Sequence, residues 1–69
     1  MSMRDVAKVI EIVGCSEKSW VDAAEVGVAK ASKTIKNITG VQVMQMTASC
    51  KKGKIVLYKT TLKVAFGLD

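Results

Sequence analysis

The feature that most constrains the fold is residues 16–37, a proline-free stretch in which apolar residues recur every three or four positions. This spacing places them on one face of an α-helix. The apolar positions of this face are Trp20, Ala23, Ala24, Gly27, Val28, Ala31 and Ile35, with Ile38 just beyond the stretch. We therefore predict one amphipathic helix, about 30 Å long at 1.5 Å per residue. Ser16 is the predicted N-cap and Asn37 the predicted helix stop.

The charges along this stretch support the same helix. Asp22 and Glu25 come early, whereas Lys30, Lys33 and Lys36 come late. That order complements the helix macrodipole, which is positive at the N-terminus. The apolar face consists mainly of alanine, glycine and valine, so a partner can approach the helix closely, and a β-sheet is the natural partner.

The remaining segments read as three strands. Residues 6–13 are rich in β-branched side chains and precede Gly14, with 14–16 as a tight link into the helix. Residues 40–49 form the second predicted strand, 51–54 a hairpin loop and 55–66 the third strand. The expectation is an α+β fold with the order β-α-β-β. It is one domain over residues 1–69, with a three-stranded antiparallel sheet packed on one long helix.

Alternation in the third strand separates the two faces of this sheet. One face carries Tyr58, Thr60, Leu62, Val64 and Phe66, and the other carries Lys59, Thr61, Lys63 and Ala65. A single helix covers only one face. The uncovered face, which also holds Gln42 and, as we predict, Met44, must meet water or other subunits.

A chain of 69 residues buries a thin core and usually needs a further stabilising device. Cys15 and Cys50 are read as small apolar fillers in a reducing compartment. The chain has no histidine and no Cys-x-x-Cys pair, so no metal site is predicted. Oligomerisation remains as the common way to stabilise so short a chain. Neither a membrane span nor a signal peptide is predicted, which favours a cytoplasmic protein.

The residues also argue against catalysis. Without histidine there is no Ser-His or Cys-His pair, and the six carboxylates are scattered along the chain. No phosphate-binding or dinucleotide fingerprint is present. We predict no catalytic residues and no enzyme. Trp20 and Tyr58 are predicted to be core residues rather than stacking platforms for a ligand.

The net charge of +5 is distributed unevenly, with −2 over residues 1–29 and +7 over residues 30–69. A basic half indicates either an anionic partner or a solvated lysine face. Nucleic acid is the less favoured partner, because Arg4 is the only arginine and no Gly-x-x-Gly clamp is present.

Two segments carry a resemblance to a known family. Residues 9–16 (VIEIVGCS) resemble the first strand of the dodecins, and residues 57–66 (LYKTTLKVAF) resemble their last strand. The predicted helix also resembles theirs in length and in its alanine-rich face. The resemblance covers residues 6–68 and implies a hollow shell of twelve identical subunits, with flavins bound in stacked pairs at two-fold axes.

The resemblance also implies site residues. Flavin-binding dodecins carry a stacking tryptophan where this chain has Gly40, and a ring-binding glutamine where it has Lys59. These two positions, with Gln42 and Thr61, are the predicted cofactor-binding residues for riboflavin or FMN, with binding weakened by both departures. We expect Gly40 and Lys59 to be neighbours in the hairpin, projecting away from the helix. The alternatives are a small basic nucleic-acid-binding domain and a structural assembly without ligand.

Overall fold

The structure is a computed structural model and describes residues 7–67. In chain order it contains β1 (Ala7–Ser16), α1 (Trp20–Ala31), β2 (Ile38–Lys51) and β3 (Lys54–Gly67). The predicted β-α-β-β order and the antiparallel three-stranded sheet are confirmed. Val6, the predicted first residue of the first strand, lies outside the described residues.

β3 is the central strand, and the sheet order is β1-β3-β2. β1 pairs with β3 without interruption from Ala7 opposite Gly67 to Ser16 opposite Tyr58. The pairing of β2 with β3 contains three register shifts, and one of them lies between Val43 and Gln45. Because Met44 falls at this shift, it has no partner in the register, and the predicted alternation of faces along β2 is interrupted there.

The helix is shorter than predicted, with 12 residues instead of about 20, and its N-cap is Ser19 rather than Ser16. The Ser19 hydroxyl accepts a hydrogen bond from the Asp22 N–H at 2.9 Å. The Ser16 hydroxyl instead accepts from the Lys18 N–H and donates to the Asp22 carboxylate at 2.5 Å. Both serines offer the same chemistry, but β1 continues through Ser16, so the helix begins after Ser19.

The helix ends at Ala31, with Ser32 as its C-cap, and not at Asn37. The backbone N–H groups of Lys33 and Thr34 donate to carbonyls three residues earlier, which tightens the last turn. Asn37 has a left-handed φ of 64°, which turns the chain into β2. Ile35 therefore lies in the connection and Ile38 in β2, so the apolar helical spacing extends beyond the helix itself.

The predicted link at 14–16 is also wrong, because these residues continue β1. Gly14 marks a close approach of the strand to the helix instead of a turn. The hairpin prediction is confirmed: Lys52 and Gly53, with φ of 52° and 78°, form the two-residue connection between β2 and β3. Two successive residues with positive φ match the twist of a type I′ turn.

The core lies between α1 and β3. Ala23, Leu62 and Val64 are fully buried, as is Thr60, whose hydroxyl donates to the Trp20 carbonyl at 2.8 Å. The predicted core face of the third strand is thus confirmed. The helix packs on β1 and β3 but hardly on β2. Within residues 7–67, no helix is long and apolar enough to cross a membrane.

Candidate ligand site

The sheet face turned away from α1, which we call the outer face, is ordered in rows across the three strands. Residues directly opposite one another project to the same side of an antiparallel sheet. Read from β1 through β3 to β2, the successive rows are Val9–Ala65–Gly40, Glu11–Lys63–Gln42, Val13–Thr61–Gln45 and Cys15–Lys59–Thr47.

An open groove of about 530 Å³ lies along the first two of these rows. Its lining residues are Val9, Gly40, Val41, Gln42, Lys63 and Ala65. A volume of this size falls in the range of small-ligand pockets, roughly 300–1,000 Å³. The groove combines an apolar floor with one amide and one ammonium group, so it can take a flat ligand and hydrogen-bond its edge.

The groove exists because two small residues face each other. Gly40 lies opposite Ala65, and a Cβ atom built at Gly40 would meet no atom within 4 Å. The φ of Gly40 is not in the left-handed region, since Gly53 is the glycine with positive φ among the described residues. A side chain at position 40 is therefore compatible with the backbone and would project into open space.

Lys63 is the cationic member of the groove. It lies opposite Glu11 on one side and Gln42 on the other. Its ammonium group offers three hydrogen-bond donors and no acceptor, whereas the Gln42 amide offers both. Opposite charges across a strand pair attract, so Glu11 competes with any anionic ligand for Lys63.

The predicted site residues divide into two groups. Gly40 and Gln42 line the groove, and Thr61 lies one row beyond it. Lys59 pairs with Thr47. It lies six positions along β3 from Ala65, which is the partner of Gly40. At about 3.3 Å per residue this is roughly 20 Å. The predicted proximity of Gly40 and Lys59 within one chain is therefore wrong, although both lie on the outer face as predicted.

Four lining residues were not predicted as site residues: Val9, Val41, Lys63 and Ala65. Alternation already placed Lys63 and Ala65 on the outer face. The sequence did not predict which β2 residues pair with which β3 residues, because bulges in β2 shift the register and alternation does not reveal them. Val9 comes from β1, which joins the groove only because β3 is the central strand.

A second exposed surface lies on the helix side of β2. Val41, Val43 and Met46 pair with the buried Val64, Leu62 and Thr60, yet they are 44%, 45% and 59% exposed. They are exposed because α1 packs on β1 and β3 and hardly on β2. An apolar strip next to a helix groove lined by Ala24 and Val28 is an unusual surface for an isolated chain.

The aromatic pair lies at the boundary of the core. The rings of Trp20 and Tyr58 are edge to face, with centroids 4.8 Å apart, and both residues are half-buried. The indole N–H donates to the Thr47 carbonyl of β2 at 2.8 Å. Trp20 thus connects the helix to the hairpin, and it is less buried than predicted.

Both cysteines are free and exposed, which contradicts their prediction as buried fillers. Cys15 lies on the outer face opposite Lys59. In the described part of the chain, no group of three or more His, Cys, Asp or Glu side chains could hold a metal ion.

A small α+β domain with a groove on its open sheet face and an uncovered apolar strip is typical of an oligomeric ligand-binding protein. The sequence model of one family, Dodecin, matches residues 6–69. The chain belongs to the dodecin family, whose members are small flavin-binding proteins and homo-oligomers.

Individual dodecins are similar to this chain over almost its whole length. The dodecin of Thermus thermophilus is 28% identical over 67 residues, which is 97% of each chain. The structure of Streptomyces coelicolor dodecin has a TM-score of 0.92 and 28% identity, and the match covers 100% of this chain and 97% of that one. A calcium dodecin of Mycobacterium tuberculosis, described with a novel calcium-binding site, has a TM-score of 0.82 and 33% identity, with 94% and 93% covered.

Proposed function

We propose that this chain assembles into a homododecameric, non-enzymatic shell that binds, stores or buffers a small planar ligand in the cytoplasm. The ligand class is flavin, riboflavin or FMN, bound weakly at the groove around Gly40. The observation that carries this proposal is the groove itself, an open site with an apolar floor and no stacking side chain at its centre.

The apolar strip on β2 supports assembly. Val41, Val43 and Met46 are exposed in one chain, and burying apolar surface contributes about 25 cal/mol per Å². The outer face adds the exposed Val9 and Val13. A short chain with a thin core gains the stability it lacks when both faces of its sheet are covered by identical subunits.

The distance between Gly40 and Lys59 also bears on assembly. By family likeness they match a tryptophan and a glutamine that act on the same flavin. Because they lie about 20 Å apart in one chain, they can reach one ring only from different subunits. The flavin site of this proposal is therefore complete only in the oligomer.

The assembly is tested by light scattering on the native protein. The expected particle mass is about twelve times the 7.4 kDa of one chain. A stable monomer would exclude the shell.

Flavin binding is tested by titrating riboflavin and FMN fluorescence against the protein. Weak quenching is expected for the unmodified chain. Gly40→Trp should raise the affinity about tenfold or more, because ring stacking contributes roughly 1–3 kcal/mol per contact. Gly40→Leu is the matched control: it fills the same open space without an aromatic plane.

Lys59→Gln should give a smaller gain by supplying an amide that both donates and accepts. Since Gly40 and Lys59 belong to different subunits of the site, measuring both single variants and the double variant gives their coupling directly. If an assembled Gly40→Trp variant binds flavin no better than Gly40→Leu, this groove is not the flavin site.

A further inference from the structure

We infer that Lys63 makes the groove select a flavin or similar flat heterocycle that carries a phosphate or another anionic group over its neutral counterpart. This inference rests on the proposed function and assigns the ligand charge that the groove prefers. It is carried by the position of Lys63, the one cationic residue among the six that line the groove.

Glu11 is the one charged residue directly opposite Lys63, so a ligand has a single cross-strand competitor for the ammonium group. The other cross-strand neighbour of Lys63 is Gln42, and the adjoining row Val9–Ala65–Gly40 carries no charge. Lys63 is exposed, so its flexible stem can follow a ligand that rests on the floor of Gly40 and Ala65. A phosphate brings up to two negative charges and three acceptor oxygens, which suits an ammonium with three donors.

The overall charge of the protein would also attract anions, since each chain carries +5. This general attraction acts on every anionic ligand from a distance, and salt screens it within about 8 Å at physiological ionic strength. A contact in the groove is screened less. The two effects can be separated by removing a lysine inside the groove and one outside it.

Lys54 is the matched residue outside the groove. It begins β3 next to the hairpin turn, nine positions from Lys63, which is roughly 30 Å along the strand. Lys63→Gln and Lys54→Gln change the net charge equally. Lys63→Arg keeps the cation in place and is the conservative variant.

The experiment titrates FMN and riboflavin in parallel against the assembled protein, with and without Gly40→Trp to raise the affinity. A preference for FMN of about tenfold is expected at low salt. Lys63→Gln should remove most of it, and Lys63→Arg and Lys54→Gln should retain it. Glu11→Gln should increase the preference by freeing Lys63, whereas Glu25→Gln on α1, which has the same charge change, should not.

The outcomes separate the two proposals. Equal binding of FMN and riboflavin, or an equal loss of preference in Lys63→Gln and Lys54→Gln, overturns the assignment of Lys63 and leaves the flavin groove intact. No flavin binding by any assembled variant, Gly40→Trp included, overturns the proposed function and the role of Lys63 with it.

Discussion

Gly14 of β1 lies directly against Ala23 of α1, so closely that a Cβ atom at Gly14 would overlap the Ala23 carbonyl oxygen and lie 2.9 Å from its carbonyl carbon. The obstacle is backbone, which cannot rotate away as a side chain would. Gly27 faces the same contact from the helix side, where an added Cβ atom would lie 3.4 Å from the Gly14 Cα atom. The close packing of β1 against α1 therefore requires a residue without a side chain at position 14.

We therefore expect Gly14→Ala to lower the free energy of unfolding by about 3 kcal/mol, because overpacking displaces the helix from the sheet. Gly27→Ala is the control. Its added methyl group would meet Ile12 and Leu62 at an ordinary 3.5 Å, and alanine gains up to about 1 kcal/mol of helix propensity. Urea unfolding at one fixed protein concentration compares the two. Equal changes in the free energy of unfolding would show that the contact between β1 and α1 tolerates a methyl group on either side.

The N-cap gives a second prediction. Ser19→Ala should cost about 1 kcal/mol of stability, because the Asp22 N–H loses its acceptor, and Ser19→Asp should retain the cap. Ser32→Ala at the other end removes an exposed hydroxyl bonded to the Ala29 carbonyl and should cost less than about 0.5 kcal/mol. Thermal unfolding by circular dichroism distinguishes them. A larger loss for Ser32→Ala would contradict the assigned cap.

The hairpin turn predicts a stabilising change. Lys52 holds a positive φ that lysine disfavours and asparagine accepts, so Lys52→Asn, which creates the Asn-Gly pair preferred in type I′ turns, should raise stability by about 0.5–1 kcal/mol. Lys54→Asn removes the same charge in the strand and should not stabilise. If both variants are equally stabilised, the gain comes from relieving the lysine cluster and not from the turn.

The apolar strip of β2 predicts the interface between subunits. Val43→Asp should abolish the large particle, because a carboxylate buried between subunits without a partner costs several kcal/mol. Val21→Asp introduces the same charge on the most exposed large apolar residue of α1, outside the strip on β2, and should leave the particle intact. Size-exclusion chromatography with light scattering is the measurement. An intact particle in Val43→Asp would place the interface elsewhere.

Much of the fold could be predicted from the sequence alone. Period-2 alternation in β3 determined which residues face the helix, and burial of Thr60, Leu62 and Val64 confirms it. The helix was recognised from its apolar spacing, and the hairpin from the polar, glycine-containing residues 51–54. These features are local: each follows from the preferences of neighbouring residues, and distant parts of the chain do not change them.

The ends of the helix and the composition of the site were decided by tertiary structure. Ser16 and Ser19 are equally good caps, and Ser19 caps the helix while β1 continues through Gly14 to Ser16 beneath it. The groove depends on which residues lie opposite each other in three strands. The sheet order and the β2 bulges determine that register, bringing Lys63 and Val9 beside Gly40 and leaving Lys59 far away. Alternation along a single strand specifies a face, whereas the position on that face is a property of the paired strands.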